Sequence, residues 1–413
     1  MNPLHGPLAH YAERLHRAAG DAHHIASPLG AWLLLALTGP AATGATRTEL
    51  AEALGTDVAA AAEAARALLS APHPLVASAT AAWERRPFEG LAGWRGGLPE
   101  RTQTGPLPDR AALDAWAREC TGGLIDRFPL DATPETLLIL ASALATKVSW
   151  ADPFEVAPAA QLGSGSAWAG RLRRVLRTPP WGHRCWIAAT ARAGDVAVHA
   201  APARPGDADG AAGLLVISVA AAPDVPAVDV LAAAQQVATA AATAPDGVRP
   251  GRRSLFELPL GETPLWTLRE EPTRTFAADG REEHADAVLP CWSAQSRHDL
   301  SGAGFGFAAA ARALGELIGA PRPPYEVAQA AVARFGRFGF EAAAVTAFGV
   351  AAGLPPEGIV RLAELRFGHP YAVVAVATDT AGGPWHGVPV YSAWVAEPEE
   401  LPEAELADPP TEW

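Results

Sequence analysis

Cysteine is scarce and lysine nearly absent in this 413-residue chain. Cys120, Cys185 and Cys291 stand far apart, with no paired spacing, so neither a disulfide framework nor a cysteine zinc site is expected, and the thiols read as buried or incidental. Lys147 is the only lysine; basic side chains are otherwise Arg, and Ala is abundant, which is a signature of genome composition. Acid exceeds base to give a formal charge of -13, and no cluster of Lys or Arg with interleaved aromatics occurs, which argues against nucleic acid as a partner. Long apolar runs are missing too. Ala31 to Leu37 is too short to span a bilayer and runs into Gly39-Pro40, so no membrane partner is expected. The opening Met1 to Asp21 is polar with Arg14 and Arg17, unlike a signal peptide, and a cytoplasmic location is expected, with export lacking a classical signal left open.

What remains is a globular composition, 49% hydrophobic and 19% charged, with no repeat and no long polar linker. A single domain over 1–413 is expected, in the mixed α/β (α+β) class. Helices are predicted over Leu8–Ala19, Pro28–Thr38, Thr48–Leu54, Val58–Leu69, Asp109–Cys120 and Val228–Ala242, the second started by a Ser27-Pro28 cap. Thr136–Trp150 is apolar on both alternating faces, as in a central strand covered on both sides. Asp195–Ala201 and Gly213–Ala220 read as strands, and Tyr371–Ala377 with Val388–Ala396 as a hairpin. Scattered Ser, His and Asp residues form no hydrolase signature, and His23-His24 reads as a solvated or capping pair. The chain is therefore not expected to be an enzyme, and no cofactor or metal is implied.

The unusual stretch is Gly339 to Pro356. It carries no charge after Glu341 and no proline before Pro355, so its amides are free to join a β ladder, and its side chains are mostly small. Small residues suit a segment that slips between strands already buried on both faces, with Phe340, Ala342, Ala344, Thr346 and Phe348 on one face. Composition alone equally allows an Ala-rich helix or an ordinary buried strand.

The run Gly339-Phe340-Glu341-Ala342-Ala343-Ala344-Val345-Thr346-Ala347 resembles the Gly-Thr-Glu-Ala-Ala-Ala-x-Thr-Ala hinge of serpins. Further resemblances follow in order: Ile25-Ala26-Ser27-Pro28-Leu29 with Gly44 to Leu50, Asp114-Ala115-Trp116, Thr121 to Ile125, Trp150 to Phe154, Leu289-Pro290-Cys291-Trp292, and Phe367 to Tyr371. They span roughly residues 20 to 400, with Gly163 to Glu283 the poorest match.

The resemblance implies helices around three β-sheets, a metastable fold, an exposed reactive-centre loop, and a monomer that inhibits serine proteases as a suicide substrate through a covalent acyl complex. It places the cleaved bond at Gly353-Leu354, with Ala352-Gly353 second, and the sheet-opening region at Ser27, Ser142, Gln329 and Trp150. No Arg or Lys lies between Arg337 and Arg361, so elastase-like or subtilisin-like targets fit better than trypsin-like ones.

Several positions depart from the family. Phe340 stands for a small Thr or Ser, Arg337 for an acidic residue, Ser142 for Asn, Gln329 for His, and Gly30 for a second Ser. The alternative is a serpin that does not inhibit: a binding protein, or a substrate that proteases cut and leave.

Overall fold

The computed structural model describes residues 2–205, 210–245, 247–339 and 356–407. Helices and strands are numbered along the chain. The N-terminal part supplies α1 (His5–Ala19), α2 (Pro28–Thr38), α3 (Gly44–Leu54), α4 (Val58–Ser70), α5 (Ala92–Gly96) and α6 (Arg110–Cys120); α7 (Ala227–Thr243) and α8 (Phe307–Leu317) follow. The helical starts are set by caps. Ser27 Oγ accepts from Gly30 N at the head of α2, and Asp109 caps α6 by accepting from Ala112 N, so Asp109 precedes the helix it was expected to begin. Among the described residues no helix is long and apolar enough to cross a membrane.

One six-stranded sheet runs in the order β1 (His24–Ala26), β17 (Val388–Val395), β16 (Tyr371–Asp379), β9 (Ala212–Ala220), β8 (Gly194–Pro202), β7 (Arg184–Thr190). It includes the expected C-terminal hairpin, and α7 packs on it. A second runs β10 (Gly261–Glu262), β11 (Trp266–Arg274), β15 (Glu357–Arg366), β12 (Arg281–Leu289), β6 (Arg174–Arg177), β5 (Glu155–Pro158). Much of it comes from the stretch whose sequence carried the poorest resemblance.

In place of a third continuous sheet there are two parts, β3 (Gln103–Pro106)–β2 (Ala77–Glu84)–β4 (Leu138–Ala145) and β13 (Trp292–Asp299)–β14 (Ala328–Phe335). Among the described residues β4 pairs with β2 alone and β14 with β13 alone.

Strand β4 is shorter than the Thr136–Trp150 expected. Its two faces behave as expected: Ile139 and Ala141 pack under α6 with Trp83, Leu113 and Phe128, while Leu138, Leu140 and Leu144 meet the main core around α2. Past Ala145 the chain leaves the ladder with β2. Ser149 bridges to Gly339 and Trp150 to Ala203, so apolar periodicity continues where sheet pairing does not.

Candidate functional site: the gap between β4 and β14

The space between β4 and β14 is an apolar slot open along its lower half. Leu138, Leu140, Leu34, Phe307, Leu314 and Val327 are among the side chains around a cavity of about 410 Å³. A smaller cavity of about 80 Å³ continues it upward, between Ser142 and Gln329.

The polar cluster at mid-height is assembled from α2, β4 and β14. Gln329 Oε1 accepts from Ser27 N at 2.9 Å, and its Nε2 donates to Ser27 O at 2.8 Å, a two-way bond between β14 and the start of α2. Ser27 Oγ donates to Val390 O at 2.8 Å, and Ser142 Oγ to Gly30 O at 2.9 Å. Three of the departing residues, Gly30, Ser142 and Gln329, are thus brought together and bonded around the start of α2. A Cβ on Gly30 would lie 3.4 Å from Ser27 Oγ and 3.6 Å from Ser142 Oγ, ordinary contact distances, so this position has room for a Cβ. Tyr391 OH donates to Leu144 O, tying β17 to β4, and burial raises its phenol above the usual range.

The head of the gap is closed. Trp150 N donates to Phe338 O at 3.1 Å and Phe154 N to Arg337 O at 3.0 Å, while the fully buried Trp150 donates its indole N–H to Gly336 O at 3.0 Å. Trp150, Phe154 and Phe335 pack as an aromatic cluster beneath these bonds. Gly339, expected to begin a hinge, has φ 108°, and a Cβ there would stand 2.5 Å from Val148 O, so no other residue fits. Phe340, Glu341, Ala342, Ala343, Ala344 and Thr346, and the bonds Gly353-Leu354 and Ala352-Gly353, lie outside the described residues.

Arg337 has partners that its position in the sequence did not reveal. It is buried; Nε donates to Phe154 O at 2.9 Å, and NH1 to Glu405 O and Leu406 O at 3.0 and 3.2 Å. Its backbone N–H meets Glu405 Oε2 at 2.7 Å. The acid-rich end of the chain, Glu399, Glu400, Glu403 and Glu405, was the available signal, opposite Arg334 and Arg337.

The reading of His23-His24 as solvated or capping is corrected for His24. It is buried, donating Nδ1–H to Ala22 O at 2.8 Å and accepting at Nε2 from His16 Nδ1 at 2.8 Å; His16 Nε2 then accepts from Ser392 Oγ at 2.6 Å. Burial, reinforced by His24 and His298, holds His16 down at about 3, and burial lowers His24 as well. His23 is also structural, bonded to Ser293 O and accepting from the amides of Ala396 and Glu397. Near the head of the gap His183 and His199 form a second pair at 3.0 Å, with His183 held at about 4 by burial. The cysteines are free thiols; burial pushes Cys120 up to about 11 and Cys185 and Cys291 further. Among the described residues no group of His, Cys, Asp or Glu is arranged to hold a metal ion.

Neither a protein-family profile nor a curated protein sequence matches the chain. Solved structures do. The thermophilic serpin tengpin in its native state superposes with a TM-score of 0.61 at 13% identity, covering 95% of this chain and 94% of tengpin. Human thyroxine-binding globulin in its hormone complex gives 0.61 at 14% identity over 97% and 99% of the two chains. A cleaved serpin, Serpin 42Da, gives 0.61 at 13% identity over 97% and 99%. With two six-stranded sheets, a third sheet split by a gap, and near-complete coverage of these structures, the chain has the serpin fold.

Proposed function

We propose that this protein is a single-domain, monomeric, irreversible inhibitor of serine proteases that acts by loop insertion. The observation that carries the reading is the strand position between β4 and β14 that no described residue fills, with the small residues Ala342 to Ala347 coming three positions after the glycine at its head. A protease serine would attack the Gly353 carbonyl, form an ester to it and release the amine of Leu354. The freed segment then enters the gap beside β14, with Ala342, Ala344 and Thr346 facing inward. About ten new ladder bonds at ~1 kcal/mol each yield roughly 10 kcal/mol, comparable with the stability of a whole domain. The esterified protease is carried along and its oxyanion hole deformed before water releases it. This chain contributes no catalytic group in that scheme. The uncharged loop favours elastase-like or subtilisin-like targets.

A second reading, a binding protein or a simple protease substrate, is favoured by one specific observation: Arg337 is bonded to Phe154 O and to the C-terminal turn, which opposes opening at the head of the gap. Thyroxine-binding globulin is a serpin-fold protein bound to a hormone.

Incubation with subtilisin and with elastase separates the two. A denaturant-stable complex cleaved at Gly353-Leu354 is the expected result. Complete cleavage with no complex would support the second reading, and a fast stoichiometric complex with trypsin at Arg337 or Arg361 would refute the assigned specificity.

A further inference from the structure

The last described residues are bonded to the head of the gap. After β17 the backbone runs back across the molecule: Ala396 N and Glu397 N bond His23 Nδ1, Glu399 N donates to Cys291 O at 2.7 Å, and Glu400 Oε2 accepts from Arg173 N at 2.7 Å. Leu401 is buried. The segment is therefore pinned before it reaches the short turn Glu403–Glu405, which lies on the head of the gap. There Glu405, only 17% exposed at its side chain, receives Arg337 N on Oε2 and Arg334 NH2 on Oε1, each carboxylate oxygen holding a different point of the same strand end. Its backbone oxygen and that of Leu406 fix the Arg337 guanidinium, whose Nε reaches across to Phe154 O. A Cβ at Gly336 would stand 2.7 Å from Glu405 Oε2, so the absence of a side chain there is what lets the carboxylate come in.

We propose that this C-terminal turn is a clasp on the gap, with Glu405 as the positioning residue that sets how readily β14 parts from the Trp150–Phe154 segment. To open, the head must break Trp150 N to Phe338 O, Phe154 N to Arg337 O and Arg337 Nε to Phe154 O, along with the Trp150 indole bond to Gly336 O. The first two are ordinary amide bonds. The third is made by a cation held in orientation by the turn, and charge-assisted bonds of that kind are the stronger ones. Arg337 stands where the serpin resemblance would have an acidic residue, and the carboxylate at this point is that of Glu405, 68 residues on. The consequence for loop insertion rests on the inhibitory reading above, whereas the effect on opening does not.

Amide hydrogen exchange in the full-length chain tests the clasp without a protease. In Glu405→Ala the amides of Trp150 and Phe154 should exchange about 10-fold faster or more, because the turn whose carbonyls hold the Arg337 guanidinium is no longer tied to the end of β14 through the Glu405 carboxylate. Arg334→Ala, which leaves the Arg337 contacts in place, should give a smaller rise, and Glu405→Gln an intermediate one. Amides in the β2–β4 ladder should not change. Unchanged exchange at Trp150 and Phe154 in these variants, or an equal rise throughout the molecule, overturns the proposal; if Glu405→Ala does not fold, Arg334→Ala and Glu405→Gln give the answer. Loop cleavage with subtilisin is run alongside. If neither parent nor variant gains thermal stability on cleavage, insertion fails as a reading while the clasp is still judged on its exchange rates.

Discussion

Replacing Gln329 by alanine removes the amide that accepts from Ser27 N at 2.9 Å and donates to Ser27 O at 2.8 Å. Ser27 is buried, so its N–H is left without a partner, which costs about 1–3 kcal/mol, and loss of the bond to its carbonyl adds about 1 kcal/mol. Ala31 N still reaches Ser27 O, at 3.4 Å, which limits the second effect. The expected loss is about 2–4 kcal/mol. At roughly 2.1 cal/mol/K per residue, the 413 residues give an unfolding entropy of about 0.9 kcal/mol/K, so the melting temperature should fall by about 2–5 °C. Gln329→His, which can serve Ser27 N or Ser27 O but not both, should fall between parent and alanine variant. Thermal unfolding followed by far-UV circular dichroism, with urea midpoints as a cross-check, reads the difference. A change within about 1 °C for Gln329→Ala would mean that water replaces the amide and that this cluster does not bind β14 to α2.

The buried histidines give a pH dependence of defined sign. His16, His183 and His199 are all held neutral well below the ordinary 6.5 by burial, so the unfolded chain binds protons that the folded one does not. Stability is therefore complete above about pH 6.5 and lost as pH falls toward 4, by about 2 kcal/mol at pH 5 for each histidine kept neutral, and the urea midpoint should drop between pH 7 and 5. An unchanged midpoint would contradict the burial of these rings. In the native protein Cys185 and Cys291 should resist a thiol reagent, with Cys120 reacting slowly, and all three should react at once in denaturant; rapid labelling of Cys185 without denaturant would refute its burial. Thr346→Arg puts a charge in the row proposed to face inward, so protease treatment should yield cleaved protein in place of complex at an unchanged cleavage rate. An unchanged proportion of complex would count against insertion through Thr346.

Local signals in the sequence were enough wherever neighbouring residues decide the structure. Ser27-Pro28 marks the start of α2 to the residue, and the Ala-rich runs of α4 and α7 differ from expectation by a residue or so at their ends. The polar cluster was also legible, through residues already singled out at 27, 30, 142 and 329.

Distant partners were not legible. Helix α8 is amphipathic, but it begins after Gly306 with no capping side chain, so no start signal marks it in the sequence. His24 sits in a polar stretch, yet its burial comes from β13 and β17, far along the chain. The same is true of Arg337, whose meaning depends on Glu405, and of β4, whose apolar pattern outlasts its ladder because Trp150 pairs with Phe338 and Ala203 instead of β2.

The central claim, that the gap between β4 and β14 is filled by the chain's own loop, is tested most directly by the melting temperature before and after cleavage at Gly353-Leu354. Insertion worth roughly 10 kcal/mol against about 0.9 kcal/mol/K predicts a rise of at least about 10 °C. A cleaved protein that melts at or below the temperature of the intact one would contradict it.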